Sequence, residues 1–382
     1  MRKVLLADTN ISSEPIYRFL TGFGFEVHTV GINENDYLAK AGSHYHKLNY
    51  SDLSAFGDFI RKNGFDFLVP GCNDVSYLSC AAIAPEFVYP GFDNLEVTEN
   101  INNKSRFRRL GMKLGLNAPR VYESIKNISR MPVVVKPVDA YSGRGITVID
   151  GNSAGQLSDA VKLAASYSRS GSFLIEQKVS GQLYSHSAFL ENGEFVFDVI
   201  VEEHGSVNPF AVDTSRVIYD FSHELLRDIR TDILKLATSQ GITSGLIHTQ
   251  FMADGDRFWM IEVTRRCPGD LYTELISKST GYAYAENYAR PFIGQSLSKE
   301  WDKKSELVVR HTLHGIVGKP LLNISFGIDC KSMVHYPLLS AGSEITGNSW
   351  GRIGLLFAFC SDRSRQDKLI NSFLTRTAYR IE

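Results

Sequence analysis

The N-terminal quarter of the chain alternates short apolar segments with amphipathic ones, and this alternation constrains the fold more than any other feature. The apolar segments, which predict strands, lie at 4–7, 25–30, 67–70 and, as a candidate fourth strand, 87–89. The amphipathic segments at 14–23 and 52–62 place apolar side chains on one helical face. Strands alternating with helices predict a parallel sheet with helices on both faces. We assign this α/β domain to residues 1–98.

The turn after the first strand argues against a dinucleotide-binding site. It has the sequence Asp8-Thr9-Asn10-Ile11-Ser12-Ser13 instead of the glycine pattern GxGxxG. Without those glycines, the usual pyrophosphate loop is not supported. The absence of these glycines weighs against the rival hypothesis of a dinucleotide-dependent oxidoreductase built on this domain. Measured binding of a nicotinamide cofactor would support that hypothesis.

Beyond residue 98 the pattern changes to antiparallel strands mixed with helices. Helices are predicted at 103–114, 158–165, 221–240 and 364–377, and strands at 133–136, 146–149, 173–176, 185–190, 195–201, 247–252 and 258–263. A hairpin turn is predicted at 191–194. We expect an α+β domain at 99–300 with a lid at about 125–185, and a smaller α+β region at 301–382.

Composition excludes several classes of protein. The 382 residues carry 41 basic and 42 acidic side chains, so no net charge drives binding to nucleic acid. No apolar run reaches the roughly 18 residues of a membrane span, and the N-terminal run is too short for a signal peptide. The five cysteines are scattered and form no CxxC motif. A reduced, cytoplasmic protein is expected.

A lysine that ends an apolar strand is the first candidate binding residue. Lys136 follows Val133-Val134-Val135, and burying an unpaired ammonium group is costly, so an anion should meet it. Shortly after it, Ser142, Gly143 and Gly145 could let backbone N–H groups approach a phosphate. The alternative is a hairpin in which the glycines only serve the turn and Lys136 extends to solvent.

Two further segments could also contact a nucleotide. Lys104 starts a basic helix, where the helix dipole favours an anion, whereas Arg106, Arg108 and Arg109 are interpreted as a solvated face. The strand at 173–176 ends in polar residues whose backbone could bind an adenine edge. The alternative for that strand is an edge strand that leads into a turn.

Two later strands carry Gln250 and Glu262 toward what should be a cleft. Glu262 is flanked by Ile261 and Val263, and an acid inside an apolar strand is normally paired or bound to a metal. Arg265 and Arg266 follow. A carboxylate for Mg²⁺ and a nearby guanidinium suit phosphoryl transfer, although a salt bridge between Glu262 and an arginine is the alternative.

In their order along the chain, these residues resemble the ATP-grasp superfamily. The resemblance covers roughly residues 1–300 and includes a preceding domain similar to that of the biotin-carboxylase and carbamoyl-phosphate-synthase branch. Among its members, the chain is most similar to amino-acid ligases that make dipeptides or related amides.

The resemblance implies a role for each matched residue. Lys104 and Lys136 would bind ATP phosphates under the loop containing Ser142, Gly143 and Gly145, and adenine would be held by Glu176, Gln177 and Val179. Mg²⁺, or Mn²⁺ in its place, would be bound by Gln250, Glu262 and Thr264. The substrate would contact Arg265 and Arg266, and Arg266 would stabilise the acyl phosphate.

Three positions depart from the family pattern. Gln250 stands where an acid is usual, and Thr264 stands where asparagine is usual. Leu183 stands where many members have a ribose-binding glutamate, and the adjacent Gln182 is the candidate replacement. The resemblance implies an ATP-dependent carboxylate–amine ligase that acts through an acyl phosphate on amino-acid-like substrates. The departures keep open an ATP-binding regulator with little turnover. Two copies could associate through the first domain or the tail.

Overall fold

The computed structural model describes residues 1–140, 143–151, 154–347 and 350–382. The N-terminal elements are β1 Lys3–Ala7, α1 Glu14–Gly22, β2 Glu26–Gly31, α2 Tyr37–Ala41, β3 His44–Lys47, α3 Leu53–Asn63, β4 Phe67–Pro70 and α4 Asp74–Phe87. The four strands form a parallel sheet in the order β3-β2-β1-β4. This confirms the predicted parallel α/β domain.

A second set of elements leads into a small antiparallel sheet. It comprises α5 Leu95–Asn102, α6 Lys104–Leu114, β5 Val121–Tyr122, β6 Val133–Pro137, β7 Thr147–Ile149, α7 Ala154–Tyr167 and β8 Phe173–Gln177. The strands pair in the order β5-β8-β6-β7, and apolar side chains of α7 pack on them. We call this sheet with α7 the lid, because its elements lie in the part of the chain for which a lid is predicted; its function as a lid stays a prediction.

The remaining elements build the central sheet. They are β9 Gln182–Glu191, β10 Glu194–His204, β11 Thr214–Ile218, α8 His223–Gln240, β12 Gly245–Asp254, β13 Arg257–Thr264, α9 Tyr272–Thr280, α10 Tyr284–Ala289, β14 Leu307–Ile316, β15 Ile324–Phe326, β16 Ser332–Pro337, β17 Trp350–Cys360, α11 Arg363–Leu374 and β18 Tyr379–Ile381. In the described chain, eight strands run in the order β13-β12-β9-β10-β11-β14-β17-β16.

The C-terminal strands extend the central sheet instead of forming a separate one. β14 pairs with β11 on one side and with β17 on the other. The expected boundary near residue 300 therefore falls between strands of one continuous sheet.

Local sequence explains how the helix carrying the first candidate lysine begins and ends. The Asn103 side chain accepts hydrogen bonds from the Ser105 and Arg106 N–H groups at the start of α6, and Gly115 ends it with a φ of 64°. Phe107 and Arg108 are buried on its inner face. α6 and α8 belong to an apolar cluster with the central sheet that includes Phe107, Ile229 and Phe251.

One predicted strand is wrong. Residues 87–89 end α4, where Val88 has a left-handed φ of 57° and closes the helix. The short apolar segment cannot be distinguished by periodicity from the end of a buried helix.

In the described residues, no helix combines the length and apolar character needed to cross a membrane.

Candidate active site

A buried ion cluster joins the lid to the central domain. Lys136 Nζ lies 2.6 Å from Glu176 Oε2, and Arg108 Nε lies 2.7 Å from Glu176 Oε1. Arg108 Nη2 also donates to the Ile261 carbonyl at 2.7 Å. All three charged side chains are at most 6% exposed. Lys136 thus meets an anion, as predicted, but in this structure the anion is a carboxylate of the protein.

The expectation that Arg108 lies on a solvated helix face is wrong. Arg109 is exposed and Arg106 pairs with Glu99, whereas Arg108 is 4% exposed. A charged residue at this depth requires a partner, and that partner is Glu176. The sequence signal available was the position of Arg108 next to Phe107 on the inner face of an amphipathic helix.

The cluster shifts the pKa of its members. Burial lowers the pKa of Lys136 to about 8, with Arg108 and Lys104 acting in the same direction and Glu176 opposing them. For Glu176, burial favours a raised pKa, but Arg108 and Lys136 outweigh it and the pKa is lowered. The carboxylate is therefore charged at neutral pH, and Lys136 changes its charge near pH 8.

The other candidate lysine reaches a candidate metal ligand. Lys104 Nζ lies 3.4 Å from Glu262 Oε2 on β13 and donates to the Ala140 carbonyl at 3.0 Å. The Glu262 side chain keeps 32% exposure. Burial favours a raised pKa for Glu262, but Lys104 and Arg266 outweigh it and lower the pKa. Lys104 and Glu262, predicted to bind phosphate and metal, thus lie together.

A buried acid that sequence reasoning missed orients Gln250. Gln250 lies opposite Glu262 in the β12–β13 ladder, and its Nε2 donates to Glu203 Oε2 at 2.7 Å. Glu203 also accepts from Ser185 Oγ at 2.7 Å, and burial raises its pKa. Because a carboxylate only accepts from the amide nitrogen, the Gln250 amide oxygen faces away from Glu203.

The metal-binding donors are few. Among residues the structure describes, no group of three or more His, Cys, Asp or Glu side chains is placed to hold a metal ion. The Thr264 hydroxyl is buried and accepts from the Arg266 N–H at 3.3 Å, so its metal role stays a prediction. Mg²⁺ commonly binds one or two carboxylates together with substrate phosphates. Glu262 and the Gln250 oxygen fit an ion that arrives with a nucleotide.

The glycine loop contacts its surroundings closely at two positions. Gly143 and Gly145 have φ values of +71° and +70°. A Cβ atom on Gly143 would lie 2.7 Å from Phe210 Cβ, and one on Gly145 would lie 2.8 Å from Tyr167 Cβ. The glycines therefore serve both turn conformation and close packing. Ser142 lies outside the described residues.

The hinge after β8 follows the lid sheet. The Gln177 N–H donates to the Arg120 carbonyl at 2.8 Å, and the Lys178 N–H donates to the Pro132 carbonyl at 3.0 Å. Val179 comes next and is half-buried. Adenine contacts by Glu176, Gln177 and Val179 stay predictions. The side-chain amide nitrogen of Gln182 donates to the Leu183 and Glu203 carbonyls, so this nitrogen already has two hydrogen-bond partners within the chain.

The two candidate substrate arginines are both clamped by the N-terminal domain. Arg266 donates from Nε and Nη2 to the two carboxylate oxygens of Asp74, at 2.8 and 2.7 Å. Arg265 donates to Asp93 and to the Leu246 and Ser244 carbonyls, and it is 5% exposed. These contacts assign Arg265 to joining the domains and do not favour its predicted substrate contact. Burial favours a lowered pKa for Arg266, but the charges of Asp74 and then Glu262 outweigh it and raise the pKa.

A second charged cluster lies where α9 begins. Asp270 pairs with Arg352 and accepts from Thr312 Oγ1 at 3.2 Å, and Arg310 Nη1 donates to its carbonyl at 3.2 Å. Asp270 and Leu271 both have left-handed φ values, 56° and 54°. Asp270 lies directly before the N-cap position of α9, which Leu271 occupies. Non-glycine residues held in this conformation concentrate at functional sites.

The turn after β1 is occupied by an acid of the chain itself. Asp8 Oδ1 accepts from the Thr9 and Asn10 N–H groups at 2.8 and 3.1 Å, and Oδ2 accepts from the Cys72 N–H at 3.1 Å. Asp8 is 4% exposed. A pyrophosphate would need these same N–H groups. This arrangement opposes the oxidoreductase hypothesis.

Comparison with protein families identifies one domain. Residues 129–274 match the family model of the ATP-grasp domain. Comparison with curated protein sequences finds no match. The matched range contains Lys136, Glu176, Gln250, Glu262 and Arg266.

Solved structures share the fold over the whole chain. The L-amino acid ligase from Bacillus licheniformis is 17% identical with a TM-score of 0.79, covering 100% of this chain and 98% of that one. Phosphoribosylglycinamide synthetase from Anaerococcus prevotii is 16% identical, with a TM-score of 0.77 and coverage of 100% and 99%. Biotin carboxylase from Campylobacter jejuni, solved as a complex with an ATP analogue, is 15% identical, with a TM-score of 0.76 and coverage of 100% and 92%. At these identities the similarity establishes the fold.

Proposed function

We infer that this chain, whose residues 129–274 form an ATP-grasp domain, is an ATP-dependent carboxylate–amine ligase. The observation that carries the inference is the convergence of Lys104, Lys136, Glu262 and Arg266. Lys104 and Arg108 of α6 bond on one side to the lid and the loop after β6, through Glu176 and the Ala140 carbonyl. On the other side they bond to β13, through Glu262 and the Ile261 carbonyl. Two lysines, a carboxylate and a guanidinium are the groups that phosphoryl transfer followed by acyl transfer requires.

Nucleotide binding would use the lysines first. Lys104 and Lys136 would exchange their present carboxylate partners, Glu262 and Glu176, for phosphate oxygens of ATP. Glu262 and the Gln250 oxygen would hold Mg²⁺ or Mn²⁺, and this ion would neutralise charge on the phosphates. The backbone around Gly143 and Gly145 would cover the phosphates and exclude water.

The two chemical steps would then follow at one place. A carboxylate oxygen of the first substrate attacks the γ-phosphorus, the bond to the β–γ bridging oxygen breaks, and ADP and an acyl phosphate form. A neutral amine would then attack the acyl carbon, the C–O bond to phosphate would break, and the proton released by the nitrogen would leave with the phosphate, so that an amide remains. Arg266, held in place by Asp74, would face the oxyanion of the tetrahedral intermediate.

The cluster at Asp270 supports small acidic or zwitterionic substrates. One carboxylate there faces two guanidinium groups, those of Arg310 and Arg352. Arg310 is 2% exposed, and its Nε has no hydrogen-bond partner among the described residues. A substrate carboxylate would satisfy this donor. Amino acids carry that group beside an amine. Association of two copies stays a prediction.

The test is release of ADP and phosphate from Mg-ATP in the presence of pooled amino acids and small carboxylic acids. We expect one pool to stimulate release in the wild type, and Glu262→Ala to abolish it. Glu300→Ala, which alters an exposed acid before β14, is the matched control and should behave as wild type.

The ATP-binding regulator is the second candidate. It is favoured because, among the described residues proposed to hold the ion, only Glu262 supplies a carboxylate. No stimulation by any pool, combined with a rise in melting temperature on adding ATP, would select the regulator. Failure of both release and thermal stabilisation would exclude both functions.

A further inference from the structure

The buried cluster of Arg108, Lys136 and Glu176 has one more positive charge than negative. Glu176 places one oxygen on each cation, at 2.7 Å from Arg108 Nε and 2.6 Å from Lys136 Nζ. Its side chain is 3% exposed, so water cannot replace a lost partner. A buried carboxylate left unpaired is strongly destabilising.

This geometry matters because ATP would compete for Lys136. If Lys136 were the sole partner of Glu176, moving its ammonium group to a phosphate would leave a bare carboxylate in the protein interior. Arg108 removes that obstacle, since it keeps its own oxygen of Glu176 after Lys136 has moved.

We propose that Arg108 is a positioning residue that holds Glu176 so that Lys136 can exchange the carboxylate for an ATP phosphate. This rests on the proposed function, because it needs ATP at Lys136. In this arrangement Arg108 affects ATP binding indirectly, because it keeps the Glu176 carboxylate paired after Lys136 has moved.

The position of Arg108 suits a fixed partner of this kind. Its Nη2 donates to the Ile261 carbonyl in β13, so the central sheet holds the guanidinium while the lid strands carry Lys136 and Glu176. Its Nη1 is buried without a hydrogen-bond partner among the described residues. Arginine also retains its charge at any working pH, unlike the lysine beside it.

The experiment measures affinity for Mg-ATP by isothermal titration in a set of matched variants. Arg108→Met removes the charge at similar length and should weaken ATP binding about tenfold or more. Arg108→Lys should recover part of the affinity. Arg109→Met changes the exposed neighbour on the same helix and should bind as wild type.

The decisive variant is the double substitution Arg108→Met with Glu176→Gln. Removing the carboxylate frees Lys136, so the double variant should bind ATP more tightly than Arg108→Met alone. If Arg108 only supports the fold, the double variant will bind no better than the single one, and the proposal is overturned.

Two further measurements cover a variant that fails to fold. Glu176→Gln alone keeps the backbone that is predicted to contact adenine and should weaken ATP binding less than Arg108→Met does, whereas a loss as large as that of Arg108→Met would refute the proposal. In Arg108→Lys the substituted ammonium group can lose its proton in this buried cluster, so ATP affinity should decline at a lower pH than in wild type, and an unchanged profile would count against the proposal. Wild-type protein that binds no ATP would overturn the proposed function and this inference together, whereas wild-type binding that Arg108→Met leaves unchanged would overturn this inference alone.

Discussion

Lys136, which we propose as a phosphate-binding residue, has a pKa within the usual working range. Burial is the main reason that its pKa falls to about 8. Below that pH the ammonium group can bind phosphate, and above it the neutral amine cannot. We therefore expect ATP affinity to fall as pH rises through about 8, by up to about tenfold per pH unit.

The measurement is a titration of Mg-ATP binding between about pH 7 and 9.5, where nucleotide phosphates, with a second pKa near 6, are fully ionised. Lys136→Arg keeps its charge throughout and should flatten the profile. An unchanged slope in that variant would mean that another group titrates.

Single residues show where sequence reasoning succeeds and fails. Lys136 and Glu262 were singled out because each breaks an apolar strand, and each has a charged partner in the structure, although their binding roles stay predictions. Arg108 and Glu203 were missed because their importance depends on partners distant along the chain, Glu176 and Gln250. Only the folded structure shows that these charges meet.

At the scale of elements, the glycine loop and the lid depend on close approach. Gly143→Ala would place a Cβ atom 2.7 Å from Phe210 Cβ at a φ of +71°, whereas Gly151 in the same lid has open space around it. We expect Gly143→Ala to raise KM for ATP several-fold, since strain of about 1–3 kcal/mol opposes the loop conformation.

Gly151→Ala is the control and should leave KM unchanged. Steady-state kinetics together with melting temperatures separate loop closure from folding. A fall in melting temperature with normal KM would contradict a role for the loop in binding.

The edge of the N-terminal sheet carries a hydrogen-bonded histidine pair. His28 Nδ1 lies 2.8 Å from His46 Nε2, and His28 Nε2 lies 2.8 Å from Glu26 Oε1, with His44 and Phe59 packed on the rings. Burial, then His28 and His44, lower the pKa of His46 below 6.5. The unfolded chain thus binds a proton more readily than the folded one.

The stability contributed by His46 should be present above about pH 6.5 and lost as pH falls below it. Urea unfolding at pH 5.5 and 7.5 would show this as a smaller pH effect in His46→Gln than in wild type. Equal pH effects in both proteins would exclude His46 as the group that titrates.

Elements with a clear period were predicted within a few residues. β1, β4, β6 and α6 are examples, since each has a strong apolar pattern and a recognisable start or end. The strand β3, His44–Lys47, was missed because its four side chains are polar and none is fully buried. α4 was missed because it is buried almost all round, so its sequence has no amphipathic period.

At the scale of the whole molecule, Arg265 and Arg266 join the central sheet to the N-terminal domain through Asp93 and Asp74. Arg265 pairs with Asp93, and both side chains are at most 13% exposed, whereas Arg18 pairs with Glu274 while 62% exposed. We expect Arg265→Ala to lower the free energy of unfolding by about 3–5 kcal/mol, because Asp93, which is 13% exposed, loses its cationic partner and keeps the Tyr77 hydroxyl as a hydrogen-bond donor.

Arg18→Ala should lower it by less than about 1 kcal/mol, since exposed ion pairs contribute little. Urea unfolding of both variants is the measurement. Similar losses in the two proteins would show that burial does not set the strength of this interface.

The parallel domain and the antiparallel lid follow from the order of patterns along the chain. The sharing of one sheet by β11, β14 and β17 does not, because strand partners separated by a hundred residues leave no local signal. For the same reason the cluster of Asp270, Arg310 and Arg352 could not be predicted.

That shared sheet has a consequence for biosynthesis. β11 emerges from the ribosome long before β14, so its edge is unpaired while about ninety further residues are translated at about 5–20 residues per second. During those seconds the nascent protein presents an open strand to its neighbours. Slow codons between β11 and β14 should therefore lower the yield of native protein more than slow codons placed after β17.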